Sequence, residues 1–281
     1  MREIWRKTVE IFWEHPVLWL PFVIADLCTF ALSQSSSWSA RAILYSQTTS
    51  RSVLGGKSAI YNPAAIHNAW MYSAPIAVAA HYLNVCLLTA AFVLIARATQ
   101  LILQEQTGGI GLAFAELKTS LRRILWFSLK FCVCMMAGAL IAILPTMLPL
   151  IGLRPLPHLL FEALTWTSVL AGTAVVAWVA TPMGMKLVAY PGMAASADMV
   201  ALARKFALAA GVANVLAGLT YNDAIRPHLR SHSRFEGHAL GAVATLVIDV
   251  PLLLLFIALG ILLAGQADSE EELHLSEPEP F

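Results

Sequence analysis

Residues 239–264 read ALGAVATLVIDVPLLLLFIALGILLA, 26 positions with a single charged side chain, Asp249. A helix of that length reaches about 39 Å, more than the roughly 30 Å of hydrocarbon in a bilayer. Such a run predicts a membrane-spanning helix, and others like it occur at 17–33, 74–103, 124–152 and 159–181. The first is short. The second must tilt or protrude. The third carries Pro145 and Pro149 near its far end, and the fourth is closed by Pro182 and Gly184. Residues 206–221 are apolar but short and rich in small residues, a weak sixth candidate. Composition agrees: 58% of the chain is hydrophobic and only 12% charged, against about a quarter charged in soluble domains. The balance of 18 basic and 17 acidic residues gives no bulk attraction to nucleic acid, which is excluded as a partner. Trp13, Trp19, Trp70, Tyr72, Trp126 and Tyr190 flank span boundaries, where amphipathic rings sit at headgroups.

The opening stretch WRKTVEIFWEHPVLWLPFVIADL (5–27) changes character at Pro16. Before it, Glu3, Lys7, Glu10 and Glu14 fall on one line of a helix, and Trp5, Val9, Phe12 and Trp13 on the opposite side. This predicts an interfacial helix joined to a span through a kink. Ser35–Ala40 supplies the small residues of a signal-peptide cleavage site, but three glutamates in the basic region and a long amphipathic face depart from that pattern. The segment is therefore expected to be retained.

The construction recurs. Ile110, Phe114, Leu117 and Leu121 form an apolar stripe before the third span, after the flexible Gly108, Gly109 and Gly111. Ala195, Met199, Leu202 and Phe206 form another before residues 206–221. The chain thus reads as three units, 1–105, 106–190 and 191–265, each an interfacial helix followed by a pair of spans. Connecting segments on a membrane tend to be amphipathic in any case, so the repeat is one of pattern and not of residue identity. The expected fold is all-α, a polytopic transmembrane bundle of five to six spans with three interfacial helices. It forms a single membrane domain over 1–265, followed by an acidic disordered tail over 266–281.

The opening stretch and PGMAASADMVALARKFA at 191–207 resemble a group of bacterial six-span inner-membrane proteins. That group is similar to the membrane domain associated with glycerophosphodiester phosphodiesterases. The resemblance covers mainly residues 1–27 and 182–206. It implies six spans and a multi-pass place in the bacterial inner membrane. It brings no catalytic residue, because the phosphodiesterase chemistry belongs to a separate soluble domain.

Charge and repeat disagree about topology. Six spans with the N-terminus in the cytoplasm put ten basic residues inside and seven outside, with Lys130 in a span; five spans give thirteen against four, a cleaner positive-inside pattern. The repeat and the resemblance favour six.

No phosphate loop, zinc-protease motif, dinucleotide fingerprint or nucleophile elbow occurs, so no enzyme, cofactor or metal site is expected. Cys28, Cys86, Cys132 and Cys134 sit in apolar spans and read as small hydrophobes. The informative residues are ionisable groups at depth. Asp26 lies nine residues into the first span and Asp249 ten residues into the last, both about 14–15 Å deep and close to the midplane. Pro251 frees a backbone carbonyl beside Asp249. His81 and Asn84 in the second span and Lys130 in the third are the candidate partners. Two readings stand: a proton- or cation-responsive site in a small carrier, or protonated carboxyls acting as hydrogen-bonding glue between helices.

Ala209, Ala213 and Ala217 recur every four residues, a small-residue face that permits close helix approach. The stretch YNDAIRPHLRSHSRFEGH at 221–238 gathers Arg226, Arg230 and Arg234 with His228 and His232. Only Glu236 accompanies the histidines as a further ligand, so the alternatives are an anionic-lipid patch and an ordinary solvated loop. The tail ADSEEELHLSEPEPF has six acids and no Lys or Arg, the composition of a docking tail. The leading functional expectation is a membrane scaffold, assembly or lipid-organising component. Its partners would be membrane lipids together with a protein or a second copy of the chain. A small carrier using Asp26 and Asp249 is the alternative.

Overall fold

The computed structural model describes residues 2–32, 63–105, 109–147, 157–189, 195–221 and 234–275. Among these the chain is helical, without strands. The helices are α1 (Arg2–Glu14), α2 (Pro16–Leu32), α3 (Pro63–Leu103), α4 (Gly109–Met147), α5 (His158–Val188), α6 (Ala197–Thr220) and α7 (Arg234–Leu275).

Five of them, α3 to α7, hold stretches long and apolar enough to cross a membrane; α1 and α2 pass that test only taken together, and count as a sixth if the bent pair is one span. The protein is a multi-pass all-α membrane bundle. The segment the sequence left weakest, 206–221, belongs to a 24-residue helix, because the polar turn before it extends the apolar stretch to spanning length.

α3 packs on α4, α4 on α5, α5 on α6, α6 on α7, and α7 back on α3, closing a ring. α2 joins the inner side through Phe22, which stacks on Phe92 of α3 at 5.8 Å; Phe92 in turn stacks on Phe256 of α7 at 4.6 Å. The chain runs up and down. The starts of α2, α4 and α6 and the ends of α3, α5 and α7 meet at one end, the base. There Ile11 and Phe12 share a core with Leu101, Ala113 and Ile261, and Trp5 stacks on Phe206 at 6.3 Å.

α1 lies across this base, bent 93° from α2. Pro16 has no N–H to continue the helix, and a single 3-10 turn, Pro16–Leu18, makes the corner. The buried face of α1 is Thr8, Ile11 and Phe12, whereas Trp5 and Trp13 are 46% and 78% exposed. Its apolar stripe is spent on the bundle's own end. Of the aromatic side read from the sequence, Phe12 is buried in that contact while Trp5 and Trp13 stay exposed.

The other two amphipathic segments are not set off from their spans. α4 is continuous over 39 residues and α6 over 24, so both segments belong to the same helices as the spans that follow. Ser196 caps α6, its Oγ accepting from Met199 N at 3.3 Å. The fourth span likewise runs past its expected stop at Pro182 to Val188. Proline at 182 leaves the Trp178 carbonyl without its helical donor. Arg204 of α6 supplies one, its Nε donating to Trp178 O at 3.3 Å while the guanidinium lies 4.1 Å over the Trp178 ring. Arg123 of α4 does the same at the end of α5, donating from Nη2 to the orphan Lys186 carbonyl at 2.7 Å.

Glycine allows the two tightest crossings. A Cβ on Gly260 of α7 would meet Ala96 O of α3 at 2.5 Å, and one on Gly138 of α4 would meet Val176 Cγ2 of α5 at 2.6 Å. The alanine stripe behaves otherwise: Ala209 and Ala213 are exposed, and α6 turns Ala203, Phe206, Ala207 and Ala210 inward. The acidic segment also departs from expectation, since α7 continues to Leu275. Glutamate and leucine are good helix formers and extend a helix already nucleated.

Candidate functional site

The Phe22–Phe92–Phe256 stack sets the register of the inner helices. Asp26 lies four residues beyond Phe22 on α2, and Asp249 lies seven residues before Phe256 on α7. Both offsets return to the face of the stacked ring, at helical angles of about 40° and 20°. α2 and α7 run antiparallel, so both steps lead away from the base, by about 6 and 10 Å. The two carboxyl-bearing residues accordingly differ by about 4 Å in height, on the sides of α2 and α7 turned toward Phe92 of α3. Asp26 is 2% exposed and Asp249 half-buried.

Among the described residues no basic side chain pairs with either acid. Ion pairs among the described residues include Lys7–Glu3 at 3.9 Å within α1 and Arg97–Glu116 at 3.3 Å in the base. Asp26 Oδ1 is buried without a hydrogen-bond partner, as are Thr29 Oγ1 and Asn84 Oδ1. Thr29 follows Asp26 by three residues and so shares its helix face. Asn84, half-buried on α3, precedes Phe92 by eight residues, which places it about 12 Å from the stack on the same side of it as the acids. A charged carboxylate at this depth costs about 2.5 kcal/mol or more, and like charges side by side raise the cost.

Two expected partners are elsewhere. Lys130 is exposed on the outer surface of α4, its Nζ 5.2 Å over the Trp126 ring, and His81 is exposed on α3. Helical phase decides this: Lys130 follows the exposed Trp126 by four residues and keeps its outward face. Arg226, His228, Arg230 and His232 lie outside the described residues, and Arg234 is described only as the first residue of α7.

The sequence reading missed Thr29, which the i, i+3 spacing from Asp26 could have flagged. It also missed a polar group in the base, where Arg97 donates from Nη1 to Oε1 of the fully buried Gln100 at 3.0 Å and pairs with Glu116. That group ties α3 to α4. The acceptor atoms of Asp26, Asp249, Thr29 and Asn84 are oxygens, suited to a proton or a hard cation and not to soft metals. Among the described residues no three His, Cys, Asp or Glu side chains gather as a metal site, and the four cysteines are free thiols.

No family model, no curated protein and no solved structure matches the chain.

Proposed function

We propose that the protein is a non-catalytic, multi-pass component of a bacterial inner membrane, a scaffold or lipid-organising subunit, with its N-terminus and its base in the cytoplasm. One observation carries this reading: the ten basic residues that six spans assign to one side all belong to helix segments at or near the base. They comprise Arg2, Arg6 and Lys7 on α1, Arg97 near the end of α3, Lys118, Arg122 and Arg123 on α4, Lys186 at the end of α5, and Arg204 and Lys205 on α6. Positive charge next to spans marks the cytoplasmic side and attracts anionic headgroups, by about 1 kcal/mol per residue near the surface. The likeness of the opening stretch to bacterial six-span inner-membrane proteins supports the same side.

Native mass spectrometry of the full chain, gently extracted from its own membrane, tests the proposal. A stoichiometric protein partner or retained anionic phospholipid is the expected result. A lone chain that sheds all lipid at the lowest activation would defeat it. A reporter fused after Phe281 must read out on the cytoplasmic face.

A second reading, a small proton- or cation-coupled carrier, is supported by the placing of Asp26 and Asp249 on sides of α2 and α7 turned toward the same ring of α3.

A further inference from the structure

We propose that Asp26 and Asp249 form one proton-binding unit inside the bundle, holding at least one proton at neutral pH that is released only when the pair is broken. The proposal is independent of the scaffold reading. It stands on two observations. The aromatic stack and the helical offsets put both acids on the sides of α2 and α7 turned toward Phe92 of α3, about 6 and 10 Å beyond the stacked rings. Asp26 is 2% exposed, with Oδ1 lacking a hydrogen-bond partner among the described residues.

Among the described residues, neighbouring helices bring no compensating charge to this level. Between Ala74 and Phe92 of α3 the ionisable side chains are His81, which is exposed, and Tyr82 and Cys86. Tyr82 donates its hydroxyl to Leu125 O of α4 at 3.0 Å. Arg97 lies beyond Phe92 in the opposite direction, held by Glu116. α2 adds the exposed thiol of Cys28, and Val247–Gln266 of α7 has no other charged residue. The charges of α1 and of α6 (Asp198, Arg204, Lys205) lie toward the base, and Tyr221 follows the far end of α6. A buried and a half-buried carboxylate without a counter-charge among the described residues repel each other, and binding one proton leaves a single charge that the pair can share. The unpartnered Thr29 hydroxyl, one turn along α2, is a hydrogen-bonding group on the same face.

Infrared difference spectroscopy on the full chain in lipid nanodiscs tests this. At neutral pH the wild type should show the C=O stretch of a protonated carboxyl group, shifting down in D2O. Asp26→Asn and Asp249→Asn should each weaken the band at that pH by moving its loss to lower pH, and the double variant should abolish it. Asp198→Asn at the exposed start of α6 should leave it unchanged. Should the Asn variants fail to fold, titration of the wild type decides: the band must survive well above the pH at which ordinary carboxyls ionise. Absence of the band in the wild type at neutral pH, or its persistence in the folded double variant, overturns the proposal. So does a metal-cation site: exchanging choline chloride for sodium or magnesium chloride would then raise the melting temperature of the wild type but not of Asp26→Asn, and would erase the band.

Discussion

α3 and α7 have half-buried spans, with 44% and 50% of their most apolar windows enclosed by protein; α4 and α5, in the same ring, have 11% and 6%. Both pairs are apolar along their length, so apolarity does not separate them. In a bilayer an outward leucine meets lipid and an inward one meets protein, and the hydrophobic effect is indifferent between the two. What differs is what the inward faces hold. The inner helices interlock through three stacked phenylalanines and hold the buried acid. The outer hairpin displays Trp126, Leu129, Val133, Met136 and Leu140 on one helix and Leu160, Leu170 and Trp178 on the other. It is fastened by the Gly138–Gly172 contact and by arginine side chains on backbone carbonyls.

The largest effect expected is at the inner crossing. In Gly260→Leu the first added carbon lands 2.5 Å from Ala96 O and 3.1 Å from Thr99 Cβ, with helix backbone and not a flexible side chain in the way. α3 and α7 must separate, and the purified protein should lose its monodisperse peak in size-exclusion chromatography. Gly111→Ala, with nothing within 4 Å of the added carbon, should elute as wild type. Equal behaviour of the two would remove the distinction between tight and open sites.

Next comes a matched truncation. Phe92→Ala empties the centre of the stack and should cost about 3–5 kcal/mol in reversible unfolding from detergent. Leu140→Ala, at a site 63% exposed, should cost less than about 0.5 kcal/mol because lipid or detergent refills the space. A comparable loss at Leu140 would mean that protein covers the hairpin, pointing to self-association through α4.

The outer hairpin has its own weak point. Arg204→Leu removes a charged donor from the Trp178 carbonyl and should cost about 1.5–3 kcal/mol. In a Pro182→Ala background the restored N–H takes over that carbonyl, and the cost of Arg204→Leu should fall by about half. Additivity in the double-mutant cycle would break the link between the proline and the arginine.

That link also shows where sequence reading stops. The span Ala74–Leu103 has the bounds that its apolar run predicts, since desolvation is a local property of the chain. Pro182 was expected to end a helix, a sound local rule overridden by Arg204, which lies 22 residues downstream. The positions of Asp26 and Asp249 along their helices are a matter of counting residues. The side each turns inward is not, because it depends on the register that Phe92 sets from a third helix. Face is equally non-local: on α6 the periods through Ala209 and Ala213 and through Ala203, Ala207 and Ala210 look alike, and only the neighbouring helices decide that the second faces inward. An amphipathic stripe has the same ambiguity. It is the same pattern whether the helix lies on lipid or continues a span, which is why the starts of α4 and α6 were expected as separate surface helices.

The smallest effect sharpens the comparison most. Lys130 stands one turn beyond Trp126 on the outer face of α4, and its ammonium rests 5.2 Å over that ring. A lysine on a lipid-facing surface lays its methylenes along the apolar wall and carries its charge toward the headgroups. The indole face offers it about 0.5–1 kcal/mol of attraction at an exposed site. Lys130→Leu exchanges that attraction for release from a charge in lipid, so the two terms oppose each other and stability should change by less than about 0.5 kcal/mol. Asp26 lies inside the bundle, 2% exposed. Asp26→Leu should instead change stability by well over 1 kcal/mol in either direction, because protein rather than lipid must re-form around the new side chain. Two single substitutions of membrane-depth charges, read by the same unfolding assay, thus separate a residue the bilayer tolerates from one the bundle is built around.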